Sequence, residues 1–311
     1  MELVSIVIPY YNRGAFLRTT LESVLRQDYR PIELILVDNG STDNSSDVVQ
    51  AFALERSDNN FTIRVYEDNK PGAAVVRNKG LSEAHGKYVY FFDSDDEMSS
   101  DYISWAVNEM ENDDADAIVS PTCMCWPDGS RTTRKYLKKL SVEGQVVSGQ
   151  ISTQSVFYKT MFIRSLHGWN EDFLLWNDWE MGIRLMLSNG KLKWASDKTF
   201  HLILQHDASI TGRSFSASFS KILFAFENIF QLFEKQKSLS NTVWYSLALR
   251  EAIVSGQLNN EGSHDLARQC FGLTRRITLG IFQRLFVKLL YYYTSLGGHG
   301  AWRIALFLLH S

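Results

Sequence analysis

The stretch KYVYFFDSDDEM, Lys87 to Met98, decides how this chain is read. Tyr88 to Phe91 are four β-prone residues in succession, the pattern of a strand buried on both faces. Four acidic residues follow at once: Asp93, Asp95, Asp96 and Glu97. Carboxylates brought this close repel one another, which is unfavourable unless something positive is held between them. A divalent cation is the first candidate, and an acidic turn that caps the next helix is its rival.

Upstream, further β-rich runs read as strands at 3–8 (LVSIVI), 33–38 (ELILVD) and 62–67 (TIRVYE), and the run quoted above makes a fourth over 87–93. Between the first two, Asn12 is expected to cap a helix carrying Leu17, Leu21, Val24 and Leu25 at helical spacing. Ser41 similarly opens one carrying Val48, Val49 and Phe52, and a third helix is expected over AAVVRNKGLSEA, residues 73–84. Strand ends thus recur roughly every 26 to 29 residues, the length of a strand–helix–strand crossover. That rhythm predicts a parallel sheet covered by helices on both faces, in which ligands bind beyond the carboxyl ends of the strands. PYYN, DNGSTDNS and DSDDE all lie at such ends.

Each cluster has a bland reading. VDNGSTDNS (37–45) is by itself an Asp/Asn/Ser turn that starts a helix. No G-x-G-x-x-G or G-x-x-x-x-G-K-[ST] follows any of these strands, so a bound nucleotide would need side chains for its base and ribose and something else for its phosphates. Carboxylates suit Mg²⁺ or Mn²⁺, which keep waters and take one or two protein carboxylates plus substrate phosphates. Further on, Asp178 and Glu180 stand where a helix begins and could simply complement its dipole. Trp169, Trp176 and Trp179 are either core or platforms for the apolar faces of sugar rings. His206, after an apolar stretch, is of interest only if the fold returns it to the carboxylates.

A chain of 311 residues, 45% hydrophobic and 13% aromatic, can bury a large core. The net charge of -3 hides an asymmetry: from Ser216 onward ten Lys and Arg face five Asp and Glu, and before it 22 face 30. Three cysteines, Cys123, Cys125 and Cys270, argue for a reducing compartment and make no zinc site by spacing. The N-terminus lacks the regions of a secretory signal, and the most apolar candidate span is broken by Gln283, Arg284 and Lys288. The expectation is a cytoplasmic protein, peripheral on the inner face of the cell membrane.

Taken together, VSIVIPYYN (4–12), ILVDNGSTDNS (35–45), PGAAVVRNKGLSEAHGKYVYFFDSDDEM (71–98) and NDWEMGIRL (177–185), in this order and spacing, resemble the inverting glycosyltransferases of family 2. The resemblance is strongest over roughly the first 120 residues, extends to about residue 212 and then stops. It implies a GT-A (Rossmann-like) α/β fold, a mostly parallel sheet flanked by helices with a C-terminal α-helical extension. The implied domains are a nucleotide-sugar-binding and catalytic one over 1–215 and a helical region over 216–311. The implied activity is metal-dependent, inverting transfer of a hexosyl- or N-acetylhexosaminyl-type group to a saccharide or lipid-linked acceptor hydroxyl. The donor would be a nucleotide-diphosphate sugar, UDP-linked by preference, and the setting polysaccharide or glycolipid biosynthesis.

Carried over by position, Pro9, Tyr11 and Asn12 match the loop lining the nucleotide pocket, Asp38 the carboxylate that reads the base, and Arg77 the cation at the base or diphosphate. Asp93 and Asp95 match the D-x-D pair at ribose and metal; Ser94 between them and Trp179 join the nucleotide-sugar contacts. Asp178 matches the catalytic base, although Asn177 replaces the usual Glu before it. His206 matches a late His that approaches the metal or the diphosphate, and with Asp93 and Asp95 it makes the set implied for Mn²⁺ or Mg²⁺.

After residue 216 the chain reads as helices over 218–236, 242–256 and 266–296, with stops at Gly256 and at GGHG (297–300). Arg268, Arg275, Arg276, Arg284, Lys288 and Arg303, interleaved with Phe, Tyr and Leu, fit either packing on the rest of the protein or an anionic membrane surface. Three other functions compete. A nucleotidyltransferase should carry a glycine-rich, basic loop that PYYNRGAF lacks; a non-catalytic nucleotide-sugar-binding module remains open; a nucleic-acid binder is disfavoured by the acidic body.

Overall fold

The computed structural model describes residues 1–133, 141–195, 199–204, 214–236 and 238–309. The chain divides into two compact units, one made of residues 1–139, 151–177 and 188–208, the other of 140–150, 178–187 and 209–311.

The first unit opens with alternating strands and helices: β1 (Val4–Tyr10), α1 (Gly14–Leu25), β2 (Ile32–Asp38), α2 (Ser45–Arg56), β3 (Phe61–Glu67), α3 (Ala73–Glu83) and β4 (Tyr88–Phe91). It continues through β5 (Glu97–Met98), α4 (Tyr102–Asp113), β6 (Ala117–Val119), β7 (Thr122–Cys125) and β8 (Arg131–Thr133). Among the described residues, seven strands form the main sheet. β1 pairs in parallel with β2 on one side and β4 on the other, and β2 with β3, in register Tyr10 to Asp38 to Glu67. Beyond β4 come β9 (Val156–Lys159), antiparallel to both β4 and β6, and β10 (Leu192–Trp194), parallel to β6. The result is a mixed α/β fold with a mostly parallel central sheet. A second sheet contains, among the described residues, the four short strands β5, β7, β8 and β11 (His201–Leu204).

Every residue of β1, β2 and β4 is buried, which explains why these strands read as continuous apolar runs rather than alternating ones. Their core partners are Leu17, Leu21 and Val24 of α1, Val49 and Phe52 of α2, and Tyr102, Ile103 and Ala106 of α4. β4 is shorter than its sequence suggested: Phe92 still donates to the Val7 carbonyl at 2.9 Å, and from Asp93 the chain turns out of the ladder. The order β4-β1-β2-β3 means that the connections leave β1 and β4 in opposite directions, so a crevice opens between their carboxyl ends.

Two capping expectations are corrected. The first helix starts at Gly14 with Arg13 at the cap, because Asn12, at φ 50°, bonds another loop instead of its own helix. The second starts at Ser45, since Ser41 is held by Asp38.

The second unit is helical: α5 (Val142–Ser148), α7 (Asn177–Leu187, all but its first residue), α8 (Phe219–Lys235), α9 (Asn241–Asn260), α10 (His264–Leu273), α11 (Ile281–Ser295) and α12 (Ala301–Leu308); α6 (Thr160–Ser165) belongs to the first unit. Gly256 does not end a helix as expected but lies within α9. A Cβ there would come within 1.7 Å of the Thr294 hydroxyl and 2.6 Å of the Tyr291 carbonyl, so glycine permits the close approach of α11. GGHG does separate α11 from α12. No helix among the described residues is long and apolar enough to cross a membrane.

Candidate active site

The carboxyl ends of β1, β2 and β4 carry the polar clusters, and their side chains bind each other across the loops. Asp38, at the end of β2 and 7% exposed, accepts from the Ser41 N–H at 2.9 Å and the Ser41 hydroxyl at 2.6 Å through one oxygen. Its other oxygen takes the Ser46 hydroxyl at 3.0 Å. The DNGSTDNS turn is therefore folded around a strand-end carboxylate. Asn12 closes it from β1: its Oδ1 accepts from the backbone of Thr42 at 2.8 Å and Asp43 at 3.3 Å, and its own N–H donates to the Ser41 hydroxyl at 3.0 Å. Pro9 is buried in β1, and Tyr11 beyond it is 55% exposed. Burial, then the charge of Asp38, pushes the Tyr10 hydroxyl above its ordinary pKa, so it stays protonated.

Asn39 ties this corner to the next loop. Its amide donates to the carbonyls of Asp68 at 2.7 Å and Lys70 at 2.8 Å and accepts from the Gly72 N–H at 3.1 Å. That loop leads into α3, which presents Arg77. The guanidinium stacks 4.7 Å from the Trp169 ring and donates to Asp93 at 3.0 Å and to the Asn177 side-chain oxygen at 3.4 Å.

The DSDD segment is the centre of the cluster. Gln154, just before β9, donates one amide hydrogen to Asp93 and the other to Asp96, both at 2.6 Å. Asp96 is 3% exposed, and its second oxygen accepts from the Leu204 N–H at 2.9 Å. Burial, then the neighbouring charges of Asp93 and Asp95, holds its carboxyl well above the usual range. Asp95, after β4, accepts from Arg13 Nε, after β1, at 3.1 Å. Ser94 is buried. Sequence reasoning passed over Gln154 and Arg13. Gln154 lies in a stretch with no legible pattern, and Arg13 was overlooked inside a loop read for its Tyr and Asn.

The donor set suits a hard divalent cation. Asp93 and Asp95 supply carboxylate oxygens from the same turn, and their charges, which add to the burial that raises Asp96, are what a cation would offset. Among the described residues no three His, Cys, Asp or Glu are grouped so as to hold a metal ion. His206 lies outside the described residues.

Asp178 and Trp179 lie in the first turn of α7, in the helical unit. Trp179 is buried: its indole N–H donates to the Val146 carbonyl at 2.9 Å, Phe226 packs edge-on at 5.8 Å, and the Arg250 guanidinium stacks at 4.3 Å. Glu180 is clamped by Arg184 through both oxygens, at 2.5 and 2.8 Å, an intrahelical ion pair. Trp169 is also core, buried beneath Arg77.

The comparisons agree with this layout. A solved structure of S. aureus TarS residues 1–349 in complex with UDP-GlcNAc superposes with a TM-score of 0.66 at 16% identity, over 97% of this chain and 90% of that one. A mannosyltransferase from Pyrobaculum calidifontis, PcManGT, in complex with GDP-Man and Mn²⁺, gives 0.57 at 16% identity, over 99% of this chain and 84% of that one. At such identities these likenesses speak for the GT-A fold. Glycosyltransferase GlyG of Streptococcus pneumoniae serotype 4 is 41% identical over 118 residues, 38% of this chain and 38% of GlyG. A glycosyltransferase of Escherichia coli K12 named YibD, uncharacterized, is 33% identical over 129 residues, 42% of this chain and 36% of YibD. The chain thus matches well under half the length of these curated relatives. The family model described as Glycosyl transferase family 2 matches residues 5–168, more than half of the chain, and the chain belongs to that family.

Proposed function

We propose that this protein is an inverting glycosyltransferase that moves a hexosyl- or N-acetylhexosaminyl-type group from a nucleotide-diphosphate sugar, preferentially UDP-linked, to an acceptor hydroxyl. The observation that carries the reading is that Asp38 at the end of β2 and Asp93 and Asp95 after β4 stand at the carboxyl ends of the two strands that flank β1, with Arg77 of α3 bonded to Asp93 and Arg13 bonded to Asp95. Asp38 and the Pro9–Asn12 loop hold the base, Asp93 with Ser94 the ribose, and Arg77 the diphosphate end. Asp93 and Asp95, with His206, would hold Mn²⁺ or Mg²⁺, which when bound supplies Lewis-acid stabilisation of the departing diphosphate. Asp178 deprotonates the acceptor hydroxyl from the face opposite the leaving group, and a single base displacement of this kind inverts the anomeric centre.

The acceptor is a saccharide or lipid-linked alcohol of polysaccharide or glycolipid synthesis, met by a cytoplasmic enzyme at the inner face of the cell membrane. The deciding experiment is a donor hydrolysis and transfer screen over UDP-, GDP- and dTDP-sugars with Mn²⁺ or Mg²⁺. Turnover of one nucleotide class supports the reading. Tight binding of a donor without turnover under any acceptor mixture would instead make the protein a nucleotide-sugar-binding module.

A further inference from the structure

The helical unit leaves an apolar face uncovered. On α11, Val287, Leu290 and Thr294 are buried at the spacing of the side packed on α9. The opposite side repeats with Leu285, Leu289, Tyr292 and Leu296, which are 49%, 53%, 62% and 87% exposed. Phe282 extends this stripe at 75% exposure, and α12, packed beside α11, adds Phe307 at 72%. Exposed apolar side chains scattered singly are ordinary; a stripe of this length on one helix face needs an occupant.

Charge identifies the occupant. From Leu266 to Ser311 the sequence has six Arg and Lys and no Asp or Glu. Arg268 and Arg276 are engaged by Asp265 and Glu227. Arg284, Lys288 and Arg303 are exposed and form no ion pair among the described residues, and the first two follow the apolar stripe along α11 at i, i+4. A second copy of the chain seated on this face would bring cations against cations. An anionic lipid leaflet offers acyl chains to the stripe and negative headgroups to its basic edge, and at 15 residues α11 can lie in the interface but not cross it.

We infer that the exposed face of α11, with its α12 neighbour, docks the protein on a membrane leaflet rich in anionic lipid. The inference deepens the reading of a lipid-linked acceptor and rests on it for its purpose, while the binding itself needs neither donor nor metal. The test is co-sedimentation of the whole chain with phosphatidylcholine vesicles, with and without phosphatidylglycerol, at low and high salt. Binding to the phosphatidylglycerol vesicles that weakens with salt is expected. At roughly fivefold per cation lost from the surface, Arg284→Gln with Lys288→Gln should weaken it about 25-fold. Leu285→Glu with Leu289→Glu should abolish it, both being surface positions whose change leaves thermal stability and soluble donor hydrolysis as they were. Failure of the wild type to bind anionic vesicles at low salt, or equal binding by these variants, overturns the inference. So does a concentration-dependent dimer that Leu289→Glu dissolves while vesicles are ignored. Donor hydrolysis is scored separately, so loss of the membrane assignment leaves the enzymatic reading standing, and the reverse.

Discussion

Replacing Gln154 tests the carboxylate cluster at its least visible point. The amide of Gln154 is the shared donor between Asp93 and Asp96, with two contacts of 2.6 Å. A hydrogen bond to a charged group is worth about 1.5–3 kcal/mol, and the figure applies in full only where water cannot substitute. Asp96, at 3% exposure, is such a place; the Asp93 side chain, at 31%, is not, so its share is under about 1 kcal/mol. Gln154→Leu should therefore destabilise the protein by roughly 1.5–4 kcal/mol, read as a shift in the urea midpoint at constant m. Gln154→Glu keeps the shape but sets a third carboxylate between two others. It should be worse than Leu at neutral pH, and the deficit should shrink as pH falls, because protonation removes the repulsion. If Glu is tolerated as well as Gln at pH 7, or if Leu is neutral, the cluster is not held together in the way described.

Asp178→Asn should lower transfer by about a hundredfold or more while donor affinity, measured by calorimetry with the unreactive nucleotide, stays within a factor of two or so; normal turnover would remove it as the base. Gly256→Ala, normally favourable in a helix, should cost about 1–3 kcal/mol, because the added methyl meets the Tyr291 carbonyl and Thr294; a stabilised variant would refute that packing. His201 is fully buried, touches the Tyr90 hydroxyl at 3.2 Å, and has its pKa pushed down to about 3 by desolvation. The unfolded chain takes up this proton near pH 6.5 and the folded chain does not, so stability is complete above that value and falls by up to about 1.4 kcal/mol per unit below it. His201→Phe should flatten the pH 6.5 to 5 part of the stability profile, and an unchanged slope would place the titration elsewhere.

The parts of this architecture that were legible in the sequence are those set by local pattern. Buried strands such as 33–38 and 88–91 advertise themselves by uninterrupted β-prone residues, and strand-end carboxylates by their abruptness. What escaped depends on partners far along the chain. Gln154 looks like any polar residue until β9 lies antiparallel beside β4 and brings it to Asp93. Asn12 and Ser41 have the chemistry of caps, but each found a better acceptor or donor in a loop about thirty residues away or at the preceding strand end. Gly256 reads as a stop because glycine usually weakens a helix; the reason for keeping it lies on α11. Trp179 shows the limit from the other side: an aromatic beside an acid fits a sugar platform by type, and packing with Val146, Phe226 and Arg250 occupies it instead.

Asn39 has a practical corollary for protein engineering. Since one side chain carries the carbonyls of Asp68 and Lys70 and the N–H of Gly72, the corner beside Asp38 and the lead-in to Arg77 are a single mechanical part. A graft at this corner must transplant position 39 and residues 68–72 as a set, because either half alone would leave the carbonyls of Asp68 and Lys70 and the Gly72 N–H without the side chain that joins them.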